Sequence, residues 1–225
     1  MASQQRSTDD PIDSALRSEV RALPEFAAFM ATAGPMLAVS LRGDGHPVLV
    51  LPGLGGDDMS TMPMRWFLNL LGYKTYGWEL GINRGLTHRA TEGMARLVDD
   101  LVARHQQRIS VVGWSLGGIF ARGIARRVPG DIRQVITLGS PLHRSADPPA
   151  SVPVTSVYSK TDSLVPWPLA ILDDAPLRES VEVPGSHLGL GHNPAVLAVV
   201  TDRLAQRDGE WGPYTRSRWC AWRVA

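Results

Sequence analysis

Apolar residues recur along this chain in two alternating rhythms. Short continuous apolar runs, as in buried strands, alternate with segments whose apolar positions fall three and four apart, as on one face of a helix. Ile12, Leu16, Val20 and Leu23 follow the helical rhythm, and Phe26 and Phe29 continue it beyond Pro24. The pattern predicts helix from 13 to about 33. Pro24 separates two helices or starts the second, and Gly34-Pro35 breaks the run. Residues 36–41 form a short apolar piece that fits either type. His46 to Leu51 reads as a buried strand, closed by Pro52-Gly-Leu-Gly-Gly56. Helical spacing returns from about Ser60, with Met64, Phe67, Leu68 and Leu71 on one face. Residues 73–80 read as a second strand. The cleanest amphipathic helix is 91–106, with Met94, Leu97, Val98, Leu101 and Val102 aligned. Strand 108–113 and helix 116–127 follow, the helix stopped by Pro129-Gly130. Further strands fall at 134–138, 152–158 and 180–183. Asn193 caps a last helix that opens on Pro194 and runs to about Ala205.

Strands alternating with helices imply an α/β fold, a mostly parallel central sheet with helices on both faces. We divide the chain into a helical extension over 1–45, an α/β unit over 46–206 and a tail over 207–225 that belongs to the same domain. Residues 1–11 are polar and are expected to be disordered. The Pro-rich stretch 147–153 reads as a surface loop.

The 225 residues suffice for one large domain. A net charge of +1 gives no reason to expect a nucleic-acid partner. The single cysteine, Cys220, cannot form an internal disulfide, which fits a reducing compartment. No secretory signal is evident, and no window approaches the ~18 apolar residues of a membrane span. The expectation is a soluble, cytoplasmic protein. There is no H-E-x-x-H pair, no phosphate-binding loop and no G-x-G-x-x-G, so no metal and no cofactor are expected.

One pentapeptide changes this picture. Gly113-Trp-Ser-Leu-Gly117 stands between the strand 108–113 and the helix that follows. Strand, glycine, serine, glycine, helix is the layout of a nucleophile elbow, in which a tight turn lifts the serine hydroxyl clear of the sheet. Such a turn brings backbones together and leaves no room for a Cβ at Gly113 or Gly117. The helix that follows aims free N–H groups at any anion forming beside Ser115.

With this motif the chain resembles the α/β-hydrolase superfamily, and within it small bacterial lipases and esterases. The resemblance spans about residues 46–206 and implies an α/β-hydrolase fold with a minimal cap. It also implies a triad in the chain order serine, acid, histidine. Asp162, after the strand 152–158, matches the acid loop. Its plainer reading is an Asx-turn, and its rivals are Asp147, Asp173 and Asp174. His187, in Pro184-Gly-Ser-His-Leu-Gly-Leu-Gly-His192, matches the segment that carries the base, ahead of His192. His143 is a candidate for the pocket rim, and His46, His88 and His105 are read as structural or exposed. The backbone N–H groups of Leu54 and Leu116 are the expected oxyanion-hole donors. Here the chain has Pro52-Gly53 where the family usually has His-Gly, which leaves open how this loop is held.

The apolar residues Trp114, Leu142, Leu164, Trp167, Leu188 and Leu190 flank these positions and suggest an apolar acyl chain as substrate. Residues 141–152 and 163–178 have room for a small cap. The resemblance thus implies a serine hydrolase of carboxylic esters working through an acyl-enzyme. A thioesterase or acyltransferase with the same triad, and a hydrolase-like binding protein without turnover, are the alternatives. The partner is a small ester or lipid. The tail holds three tryptophans, Trp211, Trp219 and Trp222. It packs on the domain, lies over the pocket, or touches a membrane or lipid droplet.

Overall fold

Six strands, all parallel, form the central sheet of the computed structural model, which describes residues 19–144 and 148–215. They are β1 (Pro47–Leu51), β2 (Lys74–Tyr76), β3 (Ile109–Trp114), β4 (Ile132–Leu138), β5 (Val154–Tyr158) and β6 (Arg178–Glu182). Their spatial order is β2-β1-β3-β4-β5-β6, so β1, β3, β4 and β5 are interior. Burial follows: every residue of β1, β4 and β5 is buried, which explains their continuous apolar runs.

Five helices cover the sheet: α1 (Ala22–Val39), α2 (Met62–Leu70), α3 (His88–His105), α4 (Leu116–Arg127) and α5 (Pro194–Leu204). Alternate strand residues face different helices. Val48 and Val50 of β1 join Phe29, Met64, Phe67 and Leu197, from α1, α2 and α5. Leu49 and Leu51 join Met94, Val98, Phe120 and Ile124, from α3 and α4. Two cores, one on each face, confirm the expected layering. The connections on either side of β5 hold only short 3₁₀ turns, Leu142–Arg144 and Trp167–Ala170, among the described residues. The α/β-hydrolase fold with a minimal cap is therefore what the chain adopts.

Three expectations fail. Gly34-Pro35 does not break the first helix, because α1 runs through it to Val39. Gly34 and Pro35 are exposed, so the amide that proline removes lies on the outer side. Phe29, Ala33 and Met36 hold the inner side to the core across the interruption. The second failure concerns membranes. Residues Glu19–Val39 form a stretch of 21 residues long and apolar enough, by length and composition, to cross one.

β2 is also shorter than expected. Asp58 takes over where it stops, its Oδ1 accepting from Trp78 N at 2.8 Å and its Oδ2 from Glu79 N at 3.1 Å. In the C-terminal stretch, Tyr214 packs on the core and lies 5.7 Å from the Arg203 guanidinium. Trp219 and Trp222 fall outside the described residues.

Candidate active site

In a parallel sheet the loops at the carboxyl ends of the strands converge, and ligands bind there. The sequence candidates lie on those loops. Ser115 follows β3 with φ 52° and ψ −119°, a backbone conformation that L-residues rarely adopt. Its N–H donates to Leu138 O at 2.8 Å, and its carbonyl accepts from Gly118 N at 3.0 Å. A Cβ on Gly113 would stand 2.4 Å from the Gly117 backbone, and one on Gly117 would stand 2.5 Å from Leu51 O. The two glycines thus let β1, β3 and α4 meet beneath the serine, which is itself half-buried.

Asp162 and His187 come together from the loops after β5 and β6. His187 Nδ1 lies 2.6 Å from Asp162 Oδ2, and the two side chains are only 5% and 2% exposed. A carboxylate only accepts, so it holds the proton on Nδ1 and leaves Nε2 as the basic nitrogen. Asp162 Oδ1 meanwhile accepts from Leu164 N and Val165 N at 2.9 and 2.8 Å. Asp162 thus closes an Asx-turn with one oxygen and holds the His187 ring with the other. Trp114 Nε1 donates to His187 O at 3.1 Å and braces the His loop against the elbow. Among the described residues no hydrogen bond joins Ser115 Oγ to the His187 ring. In substrate-free sites this contact is often loose and tightens on binding.

The rivals take other places. His192 Nε2 bonds the carbonyl of Ala22 at 3.1 Å, and its ring meets Phe26 edge-on, so it anchors α1. His143, Asp173 and Asp174 are exposed, and Asp147 lies outside the described residues. Of the proposed lining, Leu164, Trp167 and Leu188 are exposed, whereas Leu142 and Leu190 are buried in the interior.

Three residues were missed. A Cβ on Gly139, at the end of β4, would stand 3.0 Å from Asp162 Oδ2 and 3.2 Å from His187 Nδ1. Its absence leaves room for the pair. Glu19 and Asn83 support the loops. Glu19 Oε2 accepts from Leu188 N at 2.7 Å, and Oε1 accepts from the Ser163 hydroxyl. Burial raises the Glu19 carboxyl, but these hydrogen bonds outweigh it and hold it below its ordinary value. Asn83 is fully buried, and its Nδ2 donates to Pro52 O at 2.9 Å. Its backbone accepts from Gly55 N and donates to Gly56 O, each at 2.8 Å. Asn83 thus grips the loop where Pro52 replaces the usual histidine. The Gly53 carbonyl accepts from Gly56 N at 3.1 Å. In a trans peptide that turns the Leu54 N–H the opposite way. Gly53 itself packs on Ser115: a Cβ there would be 3.2 Å from Ser115 Cβ.

A second Ser-His-Asp array lies at the amino ends of the strands. Ser110 Oγ is 2.9 Å from His46 Nε2, and His46 Nδ1 bonds Asp44, which Arg133 also holds at 2.8 Å. Ser110 and His46 are 0% and 1% exposed, and no helix begins at Ser110. It is a structural network. Burial, reinforced by the Arg133 charge, pushes the His46 imidazole below its ordinary value against the pull of Asp44. Burial raises the Asp44 carboxyl, but hydrogen bonds from His46 and Arg133 hold it down at about 2. Both groups are depressed in the fold, so the unfolded chain binds more protons as pH falls. His46 neutrality contributes fully above about pH 6.5 and is lost as pH drops below it. The Asp44 contribution is present above about pH 4 and is lost toward pH 2. The urea midpoint should fall between about pH 7 and pH 5, and His46→Gln should flatten that slope. An equal slope in both proteins would contradict the assignment.

Residues 47–169, just over half the chain, match the family model of palmitoyl protein thioesterase. No match is found among curated proteins. Solved structures share the fold at low identity. Lipase B of Aspergillus fumigatus is 17% identical, with a TM-score of 0.57 over 74% of this chain and 55% of its own. A pyrethroid hydrolase of Sphingobium faniae JZ-2 is 14% identical, with a TM-score of 0.56 over 71% of this chain and 97% of its own. An α/β-hydrolase enzyme from a sediment metagenome of the Mar Chica lagoon, Morocco, is 17% identical, with a TM-score of 0.52 over 72% and 91%. By fold, by elbow and by this match, the chain belongs to the palmitoyl protein thioesterase family of the α/β-hydrolase superfamily.

Proposed function

We propose that this protein hydrolyses carboxylic esters through an acyl-enzyme, with Ser115 as nucleophile, His187 as base and Asp162 as the group that orients it. The observation that carries the reading is the buried His187–Asp162 pair, set on the loops after β5 and β6 at the same edge of the sheet as the strained Ser115 turn. Ser115 attacks the acyl carbonyl, and His187 Nε2 takes its proton. The N–H groups of Leu54 and Leu116 receive the oxyanion, and His187 returns the proton to the leaving alcohol. Water activated by the same imidazole then releases the acid. The exposed Leu164, Trp167 and Leu188 beside the site suit an apolar acyl chain.

The family match favours a second reading, in which the leaving group is a thiol and the bond a thioester. The same residues serve both. The test sets p-nitrophenyl esters of increasing chain length against acyl-CoA and S-acyl peptide, with fluorophosphonate labelling of Ser115. Faster turnover of thioester than ester at matched chain length selects the second reading. Absence of labelling removes both.

The Asn83 brace gives a separate expectation. Asn83→Ala frees Pro52 O and loosens the aim of the Leu54 N–H, which acts only on the transition state. The rate constant kcat should fall by about 10²-fold while KM stays within about twofold. Asn83→Asp, which keeps the shape but not the Nδ2 donor, should also be slow. A KM effect without a kcat effect would place Asn83 in ground-state binding instead.

A further inference from the structure

The outer face of α1 has no charge and no polar side chain at any exposed position. Leu23, Phe26, Met30 and Val39 are exposed there, and the exposed positions between them are only Ala, Gly and Pro. Leu23 is 72% and Met30 59% exposed. The helix's one hydroxyl, on Thr32, turns back onto the Ala28 carbonyl at 2.7 Å. Its acid, Glu25, reaches inward, accepting from Ser186 N at 2.8 Å. Trp66 of α2 extends the apolar surface, exposed while its ring meets Phe29 at 6.1 Å. An uncharged strip of this length exceeds the scattered apolar residues of an ordinary surface.

We propose that this face docks the protein on an anionic lipid bilayer, with α1 lying in the plane of the surface. Charge supports a lipid occupant. Arg21, whose Nη2 donates to Thr161 O at 2.7 Å, immediately precedes α1, and Arg42, whose Nη1 donates to Leu70 O at 2.9 Å, follows it; both are exposed, so cations bracket the uncharged strip at each end. Apolar residues settle into the acyl boundary while guanidinium groups meet anionic head groups. The helix lies on the bilayer and does not cross it. Its inner side holds Phe29, Ala33 and Met36 in the core, and crossing would tear these away.

The catalytic loops are fixed to this surface. Glu19 and Glu25, just before and within the first turn of α1, bond the backbone of residues 188 and 186, on either side of His187. Glu19 also holds Ser163, next to Asp162. A docked α1 therefore sets the candidate site beside the lipid, where exposed Leu188 continues the apolar face.

The test uses the full chain and sedimentation with phosphatidylcholine vesicles, with and without phosphatidylserine. Binding should be at least about tenfold stronger with phosphatidylserine. The double substitution Leu23→Glu, Met30→Glu should weaken it by about tenfold or more, with an unchanged circular dichroism spectrum. Hydrolysis of a short soluble ester should stay within about twofold, since neither residue touches the site. Failure of the native chain to sediment, or equal binding by the variant, overturns the proposal. So does a native dimer in light scattering that the substitutions split, which would give the face to a second copy. Sedimentation needs no turnover, so docking and hydrolysis stand or fall separately.

Discussion

Ser115→Ala is expected to lower kcat on a p-nitrophenyl ester by at least ~10³-fold. The reasoning follows from what the pair His187–Asp162 can do alone. A 2.6 Å contact between two side chains 5% and 2% exposed fixes the imidazole's tautomer and direction. With no hydroxyl to deprotonate, that base is reduced to activating water directly. The proposed oxyanion donors and substrate binding would then supply what residual rate remains. The change is conservative for the fold. Alanine keeps a Cβ at φ 52°, so the strain of the turn is unaltered, and among the described residues the hydroxyl makes no hydrogen bond whose loss would cost stability. Circular dichroism and a denaturation midpoint beside the kinetics separate chemistry from unfolding. His187→Ala and Asp162→Ala should each give a loss near that of Ser115→Ala, and doubles no more than singles, because the members of the proposed triad are expected to act as a unit. A Ser115→Ala enzyme within tenfold of the native rate would remove the nucleophile assignment.

The elements that sequence reading placed well are those whose pattern has a local cause. Helix 116–127 is found with the expected bounds, because elbow glycines and a Pro-Gly stop mark its two ends. Asn193 and Pro194 mark α5 in the same way, the Asn193 side chain accepting from Ala195 N at 2.8 Å. Errors fall where distant groups decide. Nothing near Gly34-Pro35 reveals that Phe29 and Met36 share one core across it. Nothing near residue 77 reveals that Asp58, far back in the chain, fills the space where a strand would continue. The apolar character of α1 escaped because Glu19, Arg21 and Glu25 interrupt its start. Only the fold shows both acids turned inward to the loops of Asp162 and His187.

The candidate site divides along the same line. Ser115 announces itself through neighbours in sequence, whereas Asp162 and His187 were legible only through the family resemblance, and their pairing shows only in a fold where the strand ends converge. Asn83 carries no motif. Its role exists only because a buried amide happens to face the Pro52 carbonyl. The same contact answers the question that Pro52 raised. A loop that lacks the usual imidazole is held by three hydrogen bonds with one asparagine, two donated and one accepted.

Gly113→Ala should be strongly destabilising. Its Cβ would stand 2.4 Å from both Gly117 C and O and 2.5 Å from Gly118 N. All three are backbone atoms in the first turn of α4, so no rotamer change relieves the contact. Either β3 or α4 must move. β3 lies between β1 and β4 in the interior of the sheet, and α4 is buried along most of its length. The cost should be about 3 kcal/mol or more, a large part of the ~5–15 kcal/mol that holds a typical domain together. Any molecules that fold will carry Ser115 displaced, and about 1 Å of displacement can cost 10²-fold in rate. Gly123→Ala in the same helix is the control. Gly123 is exposed, and a Cβ there meets nothing within 4 Å. Replacing glycine at an open helical position should stabilise by about 0.4–1 kcal/mol. Two alanines in one short segment should therefore shift the denaturation midpoint in opposite directions. Equal midpoints would mean that strand and helix do not press together beneath Ser115, and the strained serine would lose its physical cause.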